Sequence, residues 1–401
     1  MARLRAAVQS RLVADVPVGA FLSGGVDSSA VVALMAEARD LRPQSFSIGF
    51  DGRFDETCFA GSVAALIQTD HHSRHIGLGD VTLHHDLPAI FDEPFADASA
   101  LPLLRLCQLA REQVKVALSG DGADELFAGY RRYRFHLAEE RLRALVPRRL
   151  RTAVFRALGQ IFPRADWAPQ WLRGKATLEA LALEGAEAYA RAVGYQAPAL
   201  RARLFSADFV RALQGHRAED RYIRLMAEAP ADDPVAQAQY ADLKIWLPGD
   251  ILTKLDRTSM SQGLEVREPL LDTGLLAFAT RLPASLRIRG RQGKWIMKAA
   301  LAGHLPPATL YRPKQGFVVP LADWFRGPLA AQVERACASG VLAESGWFSR
   351  PFLLEALAAH RAGRADHSRL LWQFLMFDGA WRHLFTRDSA PQQNTGRLAG
   401  H

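Results

Sequence analysis

Two short segments concentrate the side chains that could do chemistry. The first is Phe21-Leu22-Ser23-Gly24-Gly25-Val26-Asp27-Ser28-Ser29-Ala30. Gly24 and Gly25 permit positive φ and close backbone approach. Ser23, Ser28 and Ser29 add hydroxyl donors. An apolar run precedes the segment and a helical pattern follows it, so free N–H groups and the positive end of a helix dipole point into the loop. An anion such as phosphate belongs there. Asp27, a carboxylate among anion-binding groups, makes chemical sense when Mg²⁺ lies between it and the phosphate. A serine-capped turn would need fewer of these groups, and the loop has neither the Gly-Lys-Ser ending nor the glycine spacing of the commoner phosphate motifs. The second segment, Ser119-Gly120-Asp121-Gly122-Ala123-Asp124-Glu125, repeats the order of strand, Ser-Gly loop and helix. Its clustered acids repel one another unless a cation offsets them. Asp124 is therefore the expected second Mg²⁺ ligand beside Asp27. Glu125 is read as a helix cap.

Each loop needs a strand before it and a helix after it. Strand runs are expected over 18–22, 45–50 and 114–118, with a weaker one over 72–76. Helical patterns are expected over 28–39, 55–68 and 101–111. Strands separated by helices imply βαβ units, hence an α/β fold with a parallel sheet and a ligand at the carboxyl ends of its strands. From about 131 to 385 the texture turns helical, rich in Ala, Leu and Arg. The expected division is an N-terminal helix or linker remnant over 1–14, an α/β core over 15–135, a helical region over 136–385 and a mobile polar tail over 386–401.

The chain has 401 residues, of which 49% are hydrophobic and 23% charged. That composition excludes disorder and fibrous repeats and suggests two or three domains. No apolar stretch is long enough to span a bilayer and no secretion signal is evident, so a cytoplasmic location is expected. Cys58, Cys107 and Cys337 lie far apart, which argues against a disulfide framework or structural zinc. Cys58 and Cys107 are expected in core or half-buried helix positions. The net charge of +8 comes largely from arginines between 131 and 156. The run 141–156 alternates with apolar residues and reads as an amphipathic helix with a solvated basic face. Nucleic-acid binding is not expected there. His71, His72, His75, His84 and His85 invite a metal site, but no carboxylate or cysteine stands at a helpful spacing.

Together the two loops resemble the PP-loop ATP pyrophosphatase superfamily, and more narrowly the asparagine synthase family. The stretch from Asp15 to Ser29, Ser45 to Phe50, Asp92 to Ser99, Leu118 to Glu125, Leu247 to Arg257 running into Gly263 to Asp272, Gly293 to Ile296, and Arg312 to Phe317 carry the likeness in order. It covers nearly the whole chain except the tail. The resemblance implies a PP-loop sheet with helices on both faces, and a ligase that adenylates a carboxylate with ATP and Mg²⁺, releases pyrophosphate, and transfers ammonia to the acyl-AMP. The default carboxylate is the side chain of aspartate, giving asparagine. By the same resemblance Leu22 and Ile48 flank the adenine, and Ser119 and Gly120 contact the nucleotide. Ser23, Gly24, Gly25, Ser28 and Ser29 hold the pyrophosphate, and Asp27 and Asp124 hold Mg²⁺. Lys294, Lys314 and Lys254 are candidate phosphate contacts. Asp121, where some relatives carry Glu, is a candidate for positioning the acceptor amine. The substrate pocket is expected among Asp92–Ser99, the second loop and Asp250–Arg257.

Glutamine-hydrolysing members resemble this chain after an added glutaminase domain whose nucleophile is an N-terminal cysteine. Here residue 2 is Ala2 and the phosphate-loop strand begins by residue 18. Ammonia is thus expected from free solution, from a separate subunit or from a domain encoded upstream. A homodimer stays open. Other readings are a related amidotransferase acting on a sugar or peptide carboxylate, an RNA-modifying PP-loop ligase, and a non-catalytic scaffold.

Overall fold

The computed structural model describes residues 1–38, 42–50, 55, 57–161, 175–312 and 319–385. Five parallel strands form one sheet: β1 (Val18–Phe21), β2 (Gln44–Phe50), β3 (Asp70–Ile76), β4 (Val116–Leu118) and β5 (Glu265–Arg267). Their spatial order is β3-β2-β1-β4-β5. Every residue of β1 and β4 is buried, as expected when helices cover both faces of a parallel sheet. β3 lies at one edge and is largely exposed, which explains its weak apolar signal. β5 was not expected. It is three residues long, carries a single apolar side chain, and is defined only by pairing Val116, Ala117 and Leu118 with Glu265, Val266 and Arg267.

Helix α1 (Ala2–Ser10) buries Leu4 and Val8 in the principal core, and Ala7 is buried as well. Helix α2 (Val26–Ala38) is buried continuously from Ser28 to Met35, so it has no solvated stripe. Helix α3 (Thr57–Ile67) is opened by Asp55, whose Oδ1 accepts from the Thr57 N–H at 2.9 Å. Together with Ala123, Leu126 and Phe127 these helices pack on one side of β1 and β4.

A second core forms from helices α4 (Arg131–Leu145), α5 (Gly185–Val193), α6 (Glu219–Glu228) and α7 (Pro234–Lys244). At its centre Asp242 is 0% exposed. Its carboxylate accepts from the hydroxyls of Tyr133 (2.6 Å), Tyr189 (2.5 Å) and Tyr222 (3.2 Å) and pairs with Arg132 at 2.8 Å. A buried carboxylate is tolerated when its lone pairs are met in this way.

Of the expected solvated basic face over 141–156, Arg141, Arg148, Arg149 and Arg156 are exposed, and two arginines depart from it. Arg143 and Arg151 turn inward, where Arg143 donates to the Ala180 carbonyl (2.7 Å) and Arg151 to that of Leu181 (2.7 Å). Leu150, Val154 and Leu158 are exposed instead. The two guanidiniums donate to carbonyls at the end of the helix Lys175–Leu181, where charge-assisted hydrogen bonds outweigh solvation.

Those elements belong to one compact unit, residues 1–77, 102–198 and 213–318 as far as described. A second unit comprises 78–101, 199–212 and 319 onward. It is helical, and buries Phe325, Val333, Leu353, Leu371 and Trp372. Within it Phe205, Phe348, Phe377, Trp347 and Trp381 form a linked aromatic cluster. Cys337 and Cys107 are buried, and burial pushes both thiols up to about 12. Cys58 is exposed, contrary to expectation: the outer face of α3 reaches solvent.

Candidate active site at the ends of β1 and β4

β1 and β4 are neighbours, and the chain leaves β1 for β2 on one side and β4 on the other. This reversal of strand order opens a crevice at the carboxyl ends of the strands. Both loops singled out in the sequence emerge there. In the first, Ser28 braces the turn: its Oγ accepts from the Ser23 N–H (3.2 Å) and donates to the Gly25 carbonyl (3.3 Å). Gly24 has φ +71°, and a Cβ there would fall 2.6 Å from the Phe59 carbonyl carbon. Only glycine fits both the dihedral and the space. In the second loop the Ser119 N–H donates to the Arg267 carbonyl at 2.9 Å, and Ser119 Oγ donates to Asp121 Oδ2 at 2.6 Å. A Cβ on Gly120 would lie 2.7 Å from the Ser28 nitrogen. The two loops therefore touch through glycine.

The second loop runs into a short helix, Ala123–Phe127, that ends on Ala128 at φ +54°. The Gly129 N–H returns to the Asp124 carbonyl at 2.9 Å. Lys294 arrives from far along the chain at the start of helix Trp295–Leu301. Its N–H donates to the Phe127 carbonyl at 2.9 Å, fixing it to the end of the short helix. Its own φ is +56°, an uncommon conformation for a side-chain-bearing residue. Lys294 Nζ lies 2.5 Å from Asp27 Oδ2 and 2.8 Å from Asp124 Oδ1. Lys294 is only 4% exposed. Burial alone would lower its pKa, but Asp124 and Asp27 outweigh that and hold it above the ordinary lysine range.

The two carboxylates expected to hold Mg²⁺ thus converge on a single cation. That arrangement fits a metal that uses one or two carboxylates and takes its other ligands from phosphates and water. Among the described residues no group of three or more His, Cys, Asp or Glu is placed to hold a metal ion. His71 instead hydrogen-bonds Ser45 (2.8 Å) and Ser47 (3.1 Å).

A cleft of about 550 Å³ opens beside Ser23, Gly25 and Asp27. Lys294 lines it, as do Lys298 and Arg312, which the sequence reading did not single out. Lys298 stands one helical turn beyond Lys294, and Arg312 is the first residue of a motif quoted above; both were readable as spacing. Arg312 donates to the Ser23 carbonyl at 3.4 Å and stacks 3.8 Å from the centre of the Phe59 ring. Leu22 and Ile48 are buried in the sheet and do not line this cleft. Nor does Lys254, half-buried on helix Thr253–Met260. Lys314 lies outside the described residues.

Glu125 is not a surface cap. It is 1% exposed, accepts from the Tyr130 hydroxyl at 2.7 Å, and is pushed up to about 7 by burial and by the neighbouring Asp124. Glu268, also missed, is half-buried and likewise pushed up to about 7, by burial and by the charge of Asp121. Sequence spacing carries no sign of either environment.

Among the described residues no helix is long and apolar enough to cross a membrane. The family model described as "Asparagine synthase" matches residues 1–382. A Mycobacterium tuberculosis protein named "Putative asparagine synthetase (glutamine-hydrolyzing)" is 36% identical over 398 residues, covering 97% of this chain and 58% of its own length. "Asparagine synthetase (glutamine-hydrolyzing) 1" of Bacillus subtilis is 31% identical over 384 residues, covering 92% of this chain and 56% of its own length. "Amidase chyE" of Penicillium rubens is 24% identical over 385 residues, 83% of this chain. The chain thus spans a little over half the length of the first two relatives.

Proposed function

This chain belongs to the asparagine synthase family, and on that premise we propose that it carries out ATP-dependent amide synthesis, with the side-chain carboxylate of aspartate as acceptor. One observation carries the reading: Asp27, Asp124 and Lys294 converge beside a glycine loop at the carboxyl ends of adjacent parallel strands.

A carboxylate does not react directly with ammonia, because oxide is a poor leaving group. In the proposed first step a carboxylate oxygen attacks the α-phosphorus of ATP, and the bond to the β-phosphate breaks with its electron pair leaving on pyrophosphate. In the second, ammonia attacks the acyl carbon and AMP departs. Negative charge grows on the departing phosphates in the first step. The N–H groups of the glycine loop, the Ser23 and Ser28 hydroxyls and the Lys294 ammonium are the groups proposed to meet that charge. Asp27 and Asp124 would hold Mg²⁺, which when bound neutralises phosphate charge. Losing one such preorganised group costs roughly 10²- to 10³-fold in turnover. Asp121 is proposed to orient the incoming amine. Lys314 and Lys254 are proposed further phosphate contacts, and Leu22 and Ile48 the walls of the adenine site.

The relatives named as glutamine-hydrolyzing support glutamine as the ultimate nitrogen source, delivered by a further domain or by a second subunit. The test is incubation with ATP, Mg²⁺, aspartate and ammonium chloride. AMP, pyrophosphate and asparagine are expected to rise together. ATP binding without AMP formation would reject aspartate and point to another carboxylate.

A further inference from the structure

Helix α4 presents its arginines in two directions. Arg132 turns inward and is ion-paired with Asp242. Arg131 and Arg134, on the opposite side and three residues apart, line the cleft beside Asp27. Arg291 and Lys298 line the same cleft, with Lys294 and Arg312. Among the described lining residues these six cations face one carboxylate, Asp27. None of Arg131, Arg134, Arg291 and Lys298 forms an ion pair among the described residues. The strain of gathering them is visible: burial, then Arg131 and Arg291, lower the pKa of Arg134, while burial and Lys294 lower that of Lys298. Arg134 also donates to the Arg291 carbonyl, which keeps the two chain segments together.

Four converging cations outside any ion pair among the described residues, in a concave site bordered by the glycine loop, call for a compact polyanion. We propose that Arg131, Arg134 and Lys298 form the far wall of a diphosphate site. Its near wall is the glycine loop, and the site grips pyrophosphate after the α–β bond breaks and governs its departure. The proposal rests on the ATP-dependent reading above, but its central claim is a binding claim. A diphosphate presents two charged groups, one for each wall, where orthophosphate presents one. The same chemistry is offered by free pyrophosphate and by the terminal phosphates of ATP.

The test is calorimetric titration of the whole chain, in Mg²⁺ buffer, with pyrophosphate, orthophosphate, AMP and a non-hydrolysable ATP analogue. Pyrophosphate is expected to bind at least about tenfold tighter than orthophosphate, since one added charge-assisted contact is worth that much. In Arg131→Ala/Arg134→Ala, pyrophosphate affinity is expected to fall about tenfold or more with AMP affinity unchanged. Lys298→Ala is the second variant, should the double change disturb folding. If the ATP analogue loses as much affinity as pyrophosphate, the wall also serves the bound nucleotide; if only pyrophosphate does, it serves the product alone. Both outcomes uphold the site. Unchanged pyrophosphate affinity in folded variants, or equal affinity for orthophosphate, overturns it. Failure to make asparagine while the variants still lose pyrophosphate would reject the aspartate reading and leave this one standing.

Discussion

The Nζ of Lys294 lies 2.5 Å from Oδ2 of Asp27, across 267 residues of sequence. The same ammonium reaches Asp124, so one buried cation joins the two loops that the sequence presents separately. The lysine supplies positive charge where the two carboxylates converge. A metal entering that place must share the carboxylates with it, and phosphate gives the ammonium another partner. On the function proposed above, the pair would exchange partners as a metal-bound nucleotide binds.

Removing the ammonium tests this relationship. Lys294→Ala leaves two largely buried carboxylates facing one another. Stability in metal-free buffer at pH 7 is expected to fall by about 3 kcal/mol, the loss typical of breaking a buried pair. Millimolar Mg²⁺ is expected to restore part of it. Urea unfolding with and without Mg²⁺ measures both effects, and unchanged stability in metal-free buffer would refute the account.

Gly129 makes room for the same contact. A Cβ there would overlap Asp124 Oδ1 and Lys294 Cε. Gly129→Ala is expected to displace the lysine by the order of 1 Å and lower turnover about 10²-fold while the chain stays folded. Turnover is read as AMP release and folding as the thermal transition. Full activity in the alanine variant would show that the pair is not needed.

Glu125 gives a pH dependence whose sign can be worked out. Its pKa rises from 4.5 to about 7 on folding. The folded state therefore holds the proton more tightly, and ionisation penalises folding. Stability is complete below about pH 4.5, declines from there to about pH 7, and carries the whole penalty above that. At 1.36 kcal/mol per unit the penalty is about 3 kcal/mol. Glu125→Gln still accepts from Tyr130 but does not ionise. It is expected to exceed the parent in stability at pH 8 and to match it near pH 4.5. Glu268 titrates in the same window, so a shallower slope should persist in the variant. Parallel stability curves for variant and parent would contradict the buried, raised carboxyl.

Asp242 should matter for the fold alone. Asp242→Asn leaves Arg132 without its counter-charge and is expected to cost about 3–5 kcal/mol. Tyr189→Phe removes one of three hydroxyl donors and is expected to cost about 1 kcal/mol. Chemical denaturation compares the two, and a larger loss in the tyrosine variant would mean the network is not centred on the carboxylate.

The sequence by itself determined the features whose cause is local. A run of buried residues, two glycines, serine hydroxyls and a following helix specify a phosphate-type loop wherever the chain is placed. The same grammar marks the second loop and ties the chain to its family, because several motifs in order are far more specific than any one. What only the tertiary structure decided depends on distance in space. β5 exists because Glu265–Arg267 lies beside β4, not because its three residues favour a strand. Arg143 and Arg151 turn inward because helix-end carbonyls accept from them, against the periodicity that reads them as solvated. Glu125 and Glu268 hold raised pKa values because burial and a neighbouring negative charge act together. The meeting of Lys294 with Asp27 required the chain to bring two distant segments to one point, where desolvation is outweighed by opposite charge.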